Sequence, residues 1–424
     1  MRDRKFGRRA GAVASVLMML SAAVMPAWAI GPPYDVPADA VVGIPTGDSG
    51  FTATGDVAGA MDNAGALIHL AEARAKYPNI TGAGYTVAIL DTGVDYTHPA
   101  LAGRYLDGWD FVNGTADPMD DNGHGTHVTG IAASSDAVYT GIAPGANYVA
   151  LKVLDAAGSG LFATIDQGLA WVASHRADRH IVAVNMSFGT TSNYNAPTTG
   201  SLSTNLQALR SAGVFIAAAS GNGWFTHSPD PPNVANQGVS YPAADPAAVA
   251  VGDVWTKNFG GIQWSSGAKD FITGPDLVCA HADRSTTMLD LVAPGAIITS
   301  ANWQWESGQK WKQMGGTSMA SPAAAGAAIL IRQAIETYWE PGWWPAGDQW
   351  EDTILRIMQD TGTLVFDTDD PANPRDNVAN LDAYFKRVDV LAALDYVAAT
   401  PEPATLTLLA MGLAVGLARR RRAA

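Results

Sequence analysis

The chain has 424 residues and a single cysteine, Cys279. That excludes an intramolecular disulfide framework and any multi-cysteine zinc site. A lone thiol within "DLVCAHA" reads as a small buried hydrophobe. Charge is also scarce. Asp, Glu, Lys and Arg make up 16% of the residues, against 47% hydrophobic, and the 26 cations are outnumbered by 40 anions. Each end of the chain carries a net +4, so the body between them bears −22 of the whole-chain −14. Such a body repels phosphate backbones and anionic lipid, which sets nucleic acid aside as a partner. No internal repeat is visible. Glycine, by contrast, is abundant at 44 residues, which implies tight turns and close backbone approaches. The length suits one large domain or two ordinary ones.

The two ends read as addresses. "MRDRKFGRR" is cationic, a short uncharged apolar run follows, and Pro26 precedes Ala27-Trp28-Ala29. This is the pattern of a signal peptide over 1–29, cleaved after Ala29. At the other end, Pro401-Glu402-Pro403 leads into about fifteen apolar residues and then Arg419 to Arg422. Read plainly, that is a short membrane segment stopped by positive charge. The three parts in this order resemble the PEP-CTERM sorting signal of Gram-negative bacteria, over 400–424. The resemblance implies signal peptidase and exosortase as processing partners, transient membrane anchoring, and delivery to the cell surface or extracellular matrix.

Between the ends, residues 30–62 show no periodicity and read as a loose lead-in or a short, atypical prosegment. "NAGALIHLAEARAKYP" has helical spacing. From there strands and helices alternate: "YTVAILD", "YVALKVLD", "HIVAVNMSF" and "VFIAAAS" as buried strands, "LFATIDQGLAWVASHRA" and "NLQALRSAG" as helices. Continuous apolar strands between helices indicate an α/β fold with a mostly parallel sheet covered on both faces. The domain runs over 63–397 and closes on the apolar helix "KRVDVLAALDYV". The Trp-rich "PGWWPAGDQW" reads as core or a packed loop rather than a sugar platform.

Asp-Thr-Gly at 91–93 raises a choice. The tripeptide carries the carboxylate of aspartic proteases, and Asp48-Ser49-Gly50 and Asp360-Thr361-Gly362 offer a second copy. Asp48, however, falls in the lead-in, and Asp360 precedes the acidic "TLVFDTDD". Asp91 alone follows a buried strand, at the carboxyl end where active groups gather in open α/β sheets. Two further stretches complete another set. His124 lies between glycines in "DNGHGTHVTG". Ser318 follows two glycines and opens a long apolar helix, with Pro322 placed in its first turn. A helix start favours developing negative charge near the serine oxygen. A hydroxyl needs a base to become a nucleophile, histidine titrates near neutrality, and a buried carboxylate fixes its tautomer.

Asp91-Thr92-Gly93, "HGTHV" from His124 and "GTSMASP" from Gly316 to Pro322 resemble the subtilisin-like serine peptidases, from about residue 82 to 397. The chain order Asp, His, Ser is the one described for subtilisin. The resemblance implies a three-layer subtilisin-like fold and an endopeptidase acting on proteins or peptides. Asp91 would orient, His124 would be the base and Ser318 the nucleophile. Asn222, in "SGNG" after a strand, would be the oxyanion donor. Ser187, Phe188 and Gly189 would pair with substrate backbone, and Ala218, Ala219, Ser220 and Gly221 would wall the main side-chain pocket. No cofactor is required by this chemistry. Calcium remains conceivable at "DTDDPANPRDN", but the family's calcium loop after the histidine is missing, as is its long prosegment. Other readings are a matrix protein keeping the fold without catalysis, zinc on His124 and His127, or His98 or Asp95 in a triad role.

Overall fold

The computed structural model describes residues 41–43, 51–53, 60–227, 236–368 and 374–400, all within one unit spanning residues 34–424. The expected signal peptide, the PEP-CTERM segment, Asp48 and most of the lead-in lie outside the described residues. Two short strands, β1 (Val41–Gly43) and β2 (Phe51–Ala53), precede helices α1 (Ala60–Leu67) and α2 (Leu70–Lys76). Next come β3 (Thr86–Asp91), β4 (Tyr105–Asp110), α3 (His124–Ala133), β5 (Asn147–Lys152), β6 (Ser159–Leu161) and α4 (Phe162–His175). Then follow β7 (Ile181–Met186), α5 (Ser203–Ser211), β8 (Phe215–Ala219), α6 (Trp224–His227), β9 (Val249–Val254), β10 (Ile262–Trp264) and β11 (Lys269–Asp270). The last part holds β12 (Leu291–Pro294), β13 (Ile298–Ala301), β14 (Trp311–Met314), α7 (Thr317–Tyr338), α8 (Gln349–Thr361), β15 (Thr363–Asp367), β16 (Ala383–Arg387) and α9 (Val390–Ala399).

Nine of these strands form one sheet in the order β15-β16-β12-β9-β8-β7-β3-β5-β4. All neighbours are parallel except β15 and β16. Successive side chains on a strand point to opposite faces, and the core divides accordingly. Val87 and Ile89, Tyr148 and Ala150, and Phe215 and Ala217 pack with α3, α7, α8 and α9. Ala88 and Leu90, Val149 and Leu151, and Ile216 and Ala218 pack with α4 and α5. This is the three-layer α/β arrangement expected from uninterrupted apolar strands. The chain adds β5 and β4 to one side of β3 and β7, β8 and β9 to the other, so the order reverses at β3. A crevice therefore opens at the carboxyl end of β3, and Asp91 stands in it.

Three local expectations need correction. The helix expected over "NAGALIHLAEARAKYP" is broken into α1 and α2 at His69, whose φ is 54°. The start of α9 claims the break: His69 Nδ1 lies 2.8 Å from Asp389 Oδ2, and Val390 N donates to the Ile68 carbonyl. Tertiary contacts here override helix propensity. Second, the lead-in is not wholly irregular. β1 pairs antiparallel with β6, and β2 with β10, and Val42 is buried. Third, "TLVFD" is the edge strand β15, while Asp360 sits in the last turn of α8 beside Arg356. A helix end is not a catalytic Asp-Thr-Gly loop. Among the described residues, no helix is long and apolar enough to cross a membrane.

Candidate active site

β3 delivers Asp91 to the crevice floor, and α3 begins at His124 itself. His124 Nδ1 lies 2.8 Å from Asp91 Oδ1, with both side chains fully buried. The same Oδ1 accepts the Thr92 N–H at 2.8 Å. Close packing makes this possible. A Cβ on Gly125 would fall 2.0 Å from the Gly93 carbonyl oxygen and 3.1 Å from Asp91 Cβ. Only glycine lets the first turn of α3 rest on the Asp91-Thr92-Gly93 segment.

A residue the sequence reading overlooked holds these two segments together. Asp120 accepts from Thr92 Oγ1, from the Asn122, Gly123 and Thr126 backbone N–H groups, and from Thr126 Oγ1. The Gly123 and Thr126 donors are among the N–H groups that a helix start leaves without an intrahelical partner. Burial pushes the Asp120 carboxyl above its ordinary pKa, and the hydrogen bonds oppose that rise. An acidic pair followed by Asn-Gly just before a helix, Asp120-Asp121-Asn122-Gly123, was the signal that could have found it.

Ser318 is the second residue of α7. Its Oγ donates to the Ser187 carbonyl at 3.0 Å, and Ser187 Oγ donates back to the Ser318 carbonyl at 2.8 Å. Pro322 explains the second bond. It is the sixth residue of α7 rather than part of the first turn. A proline there lacks the N–H that would bond the carbonyl four residues earlier, which is that of Ser318. The freed acceptor is taken by Ser187. Asn185 extends the link, donating to Ser187 Oγ and accepting from Ser321 Oγ. The segment after β7 and the start of α7 are thus one hydrogen-bonded unit.

Asn222 follows β8. Its Oδ1 accepts from Thr317 N at 3.0 Å and Thr317 Oγ1 at 2.9 Å, while Gly221 N donates to Thr317 Oγ1 at 3.2 Å. The oxygen end of the amide is therefore committed to the residue before Ser318, which fixes the orientation of the whole group. Asp91, His124, Ser318 and Asn222, far apart in sequence, all gather at the carboxyl ends of β3, β7 and β8.

Residues 82–366 match the model of the Subtilase family. The chain belongs to the subtilase family. It is 32% identical over 289 residues to Serine protease AprX of Bacillus subtilis (strain 168), covering 66% of this chain and 63% of that protein. It is 36% identical over 256 residues to Subtilisin Savinase of Lederbergia lenta, covering 60% and 78%. A solved cold adapted subtilisin-like serine proteinase is 28% identical, covering 67% of this chain and 84% of its own, with a TM-score of 0.49. The chain spans a little under two thirds of the length of AprX. Residues 399–422 match the PEP-CTERM protein-sorting motif.

The remaining expected residues of this subtilase fall into place around that centre. Ala218 and Ala219 end β8 with buried side chains. Ser220 Oγ donates to the Asp283 carbonyl, and Asp283 N donates to the Gly221 carbonyl. Gly221 has φ 110°, and a Cβ there would meet Asp283 Oδ2 at 2.2 Å. Phe188 is buried in the α4–α5 face of the core. Gly189 is buried against Ser240.

Asp283 also accepts from Gly223 N, and its Oδ1 lies 3.1 Å from His227 Nδ1. Nothing local in the sequence marks Asp283, which reaches the Gly221–Gly223 loop only through the fold. The hydrogen bond to Asp283 raises the His227 pKa above its ordinary 6.5. A raised histidine contributes stability fully below the unfolded pKa, and loses it as pH rises through the folded value. The thermal midpoint of His227→Ala should therefore fall furthest below wild type under pH 6.5. The gap should close as pH rises above that, read by differential scanning fluorimetry across pH 5–9 (a range set to bracket the histidine, about 6.5).

The rival candidates are engaged elsewhere. His127 Nε2 lies 3.1 Å from the Ile298 carbonyl and 3.0 Å from that of Lys312. Burial pushes its pKa down to about 3, so the ring is neutral and donates to carbonyls rather than sharing a zinc with His124. His98 Nε2 sits 3.0 Å from the Lys310 carbonyl, and Asp95 caps Thr97. Burial lifts the Cys279 thiol well above its usual pKa, which leaves it a poor nucleophile. In the acidic stretch, Asp367 is taken by Arg284 and Arg375, both at 2.7 Å.

Proposed function

We propose that this subtilase is an exported serine endopeptidase. The observation that carries the reading is the buried His124–Asp91 hydrogen bond at 2.8 Å, set in the crevice that also receives Ser318 and Asn222. In the reaction His124 removes the Ser318 proton as Oγ bonds to the scissile carbonyl carbon. Negative charge moves to the carbonyl oxygen, where the Asn222 amide and the Ser318 N–H receive it. Asp91 stabilises the imidazolium, which then protonates the leaving amine as the C–N bond breaks. Water, deprotonated by His124, releases the acyl group in the same way. Base, nucleophile and oxyanion donors all come from the chain, so the chemical steps balance without a cofactor. Calcium at the acidic 367–377 stretch would be an addition to stability only.

Protein or peptide substrates are read as an added strand along the backbone of Ser187 to Gly189, with Ala218 to Gly221 walling the main pocket. Small residues at that wall suit a large apolar side chain. We infer that the lead-in acts as a short prosegment, supported by the pairing of β1 with β6 and the burial of Val42. The sorting-motif match supports export across a Gram-negative envelope, processing by signal peptidase and exosortase, and a final place at the surface or in the matrix.

The complete burial of Ser318 and His124 favours one second reading, a binding protein that keeps the fold without turnover. Labelling with a fluorophosphonate probe separates the two. Wild type should label and cleave casein near neutral pH, and Ser318→Ala and His124→Ala should do neither. A folded wild type that takes no probe would sink the peptidase reading. Asn222→Ala should label but turn over slowly. Its kcat should fall roughly 10²–10³-fold with KM nearly unchanged, a magnitude measured on subtilisin itself.

A further inference from the structure

We propose that Asp253, Cys279 and His281 form a buried structural site for a zinc-class divalent cation, behind the turn that presents Ser318. Asp253 lies near the carboxyl end of β9, and the other two follow the β10–β11 hairpin in "DLVCAHADRS". One carboxylate oxygen, the sulfur and one ring nitrogen all lie within 4.8 Å of one another, and all three residues are fully buried. His281 Nε2 is 3.1 Å from Asp253 Oδ2. Among the described residues, the partners of the Asp253 carboxylate are the other two members of the cluster, the Cys279 thiol, which hydrogen-bonds to it, and His281, with no backbone N–H or cationic Lys or Arg among them. A buried carboxylate in that condition is costly and calls for an ion or water to explain it.

A cation answers that need in charge and in chemistry. Two positive charges against one carboxylate and one thiolate, with a neutral imidazole, give a net-neutral buried cluster. Thiolate and imidazole together select zinc over calcium or magnesium, which take oxygen ligands. Zinc bonds of about 2.0–2.3 Å set tetrahedral ligand atoms about 3.3–3.8 Å apart. The three side chains need to close by only about 1 Å to reach that spacing. The second oxygen of Asp253 or a water fills the fourth position. With no exposed ligand, the site is structural rather than catalytic.

Its place gives it a purpose. A Cβ on Gly295 would lie 2.4 Å from Asp253 Cβ and 2.7 Å from the Gly316 carbonyl oxygen, so Asp253 stands directly behind Gly316. The Trp264 ring meets His281 edge-on at 4.1 Å and also backs Gly315. The His281 carbonyl accepts the Trp224 N–H, two residues past Asn222. The ion would thus pin the approach to Ser318 and the Asn222 loop to one point. The site stands on its own geometry and does not depend on the peptidase reading.

The test uses the mature exported protein, stripped with a chelator and titrated with cobalt(II), then zinc. The expected result is uptake of one equivalent, with a near-ultraviolet thiolate-to-cobalt charge-transfer band and a higher thermal midpoint. Cys279→Ala should lose the band and His281→Ala the tight uptake. Circular dichroism checks that each variant is folded, and Cys279→Ser supplies a closer replacement. If neither variant folds, the wild-type band alone decides. A wild type without that band, or a Cys279→Ala protein that keeps stoichiometric binding, overturns the proposal and leaves Asp253 and His281 as a plain ion pair.

Discussion

Ser318→Ala should lower kcat on the order of 10⁶-fold while leaving the thermal midpoint within a few degrees of wild type. The figure is that measured for the equivalent change in subtilisin. The argument is local. Removing Oγ deletes the atom that would bond to the carbonyl carbon, and gives up its hydrogen bond to the Ser187 carbonyl. The Ser187 bond to the Ser318 carbonyl, which anchors the helix start, survives in alanine. Because base and nucleophile act as a unit, adding His124→Ala should cost almost nothing more. Steady-state kinetics on a chromogenic peptide, with single and double variants side by side, checks both points. An aspartic enzyme built on Asp91 would behave oppositely. Its activity would survive Ser318→Ala and peak in acid.

Asp91→Asn should lower kcat about 10⁴-fold, the scale known for the same change in another Ser-His-Asp enzyme. Asp91 Oδ1 receives both His124 Nδ1 and the Thr92 N–H. An amide of the same shape can turn its NH₂ to the ring, which moves the ring proton to Nε2. That nitrogen then donates where it should accept the Ser318 proton. Geometry is kept and the tautomer is wrong. Stability should change far less. Asp91 is fully buried, and a neutral amide avoids the cost of burying a charge, which offsets the Thr92 hydrogen bond that the turned NH₂ gives up, so the thermal midpoint should stay within a few degrees of wild type. A large loss of rate without a loss of stability distinguishes this role from a structural one. A collapse of both would show that Asp91 mainly holds the fold.

The strands of the central sheet could be read from their apolar runs, and Asp91, His124 and Ser318 from the glycines that follow, flank and precede them in turn. Both signals are local: a buried strand is apolar throughout, and a close approach needs glycine near the reacting group. What escaped the reading was set by distant partners. The break at His69 is imposed by Asp389 and Val390, more than 300 residues away. Asp283 finds the Gly221–Gly223 loop because the chain after β11 folds back beneath it. The strands β10 and β11 have three and two residues, too short for a period to show. Asp120 was within reach of the sequence, since all its partners but Thr92 lie within six residues on one side.

On the proposed reading, the two-way bond between Ser187 and Ser318 makes the peptide-reading edge and the nucleophile a single mechanical part. Whatever grips the backbone after β7 also tugs on the serine, through an acceptor that Pro322 left open. Contacts made several residues away from the cut are then felt at the reacting oxygen. Longer peptides should gain in turnover rather than in affinity alone, because remote binding energy is spent on alignment. A peptidase wired in this way would discriminate by how well a substrate cocks the trigger, and short fragments released by one cut would be poor competitors for the next chain.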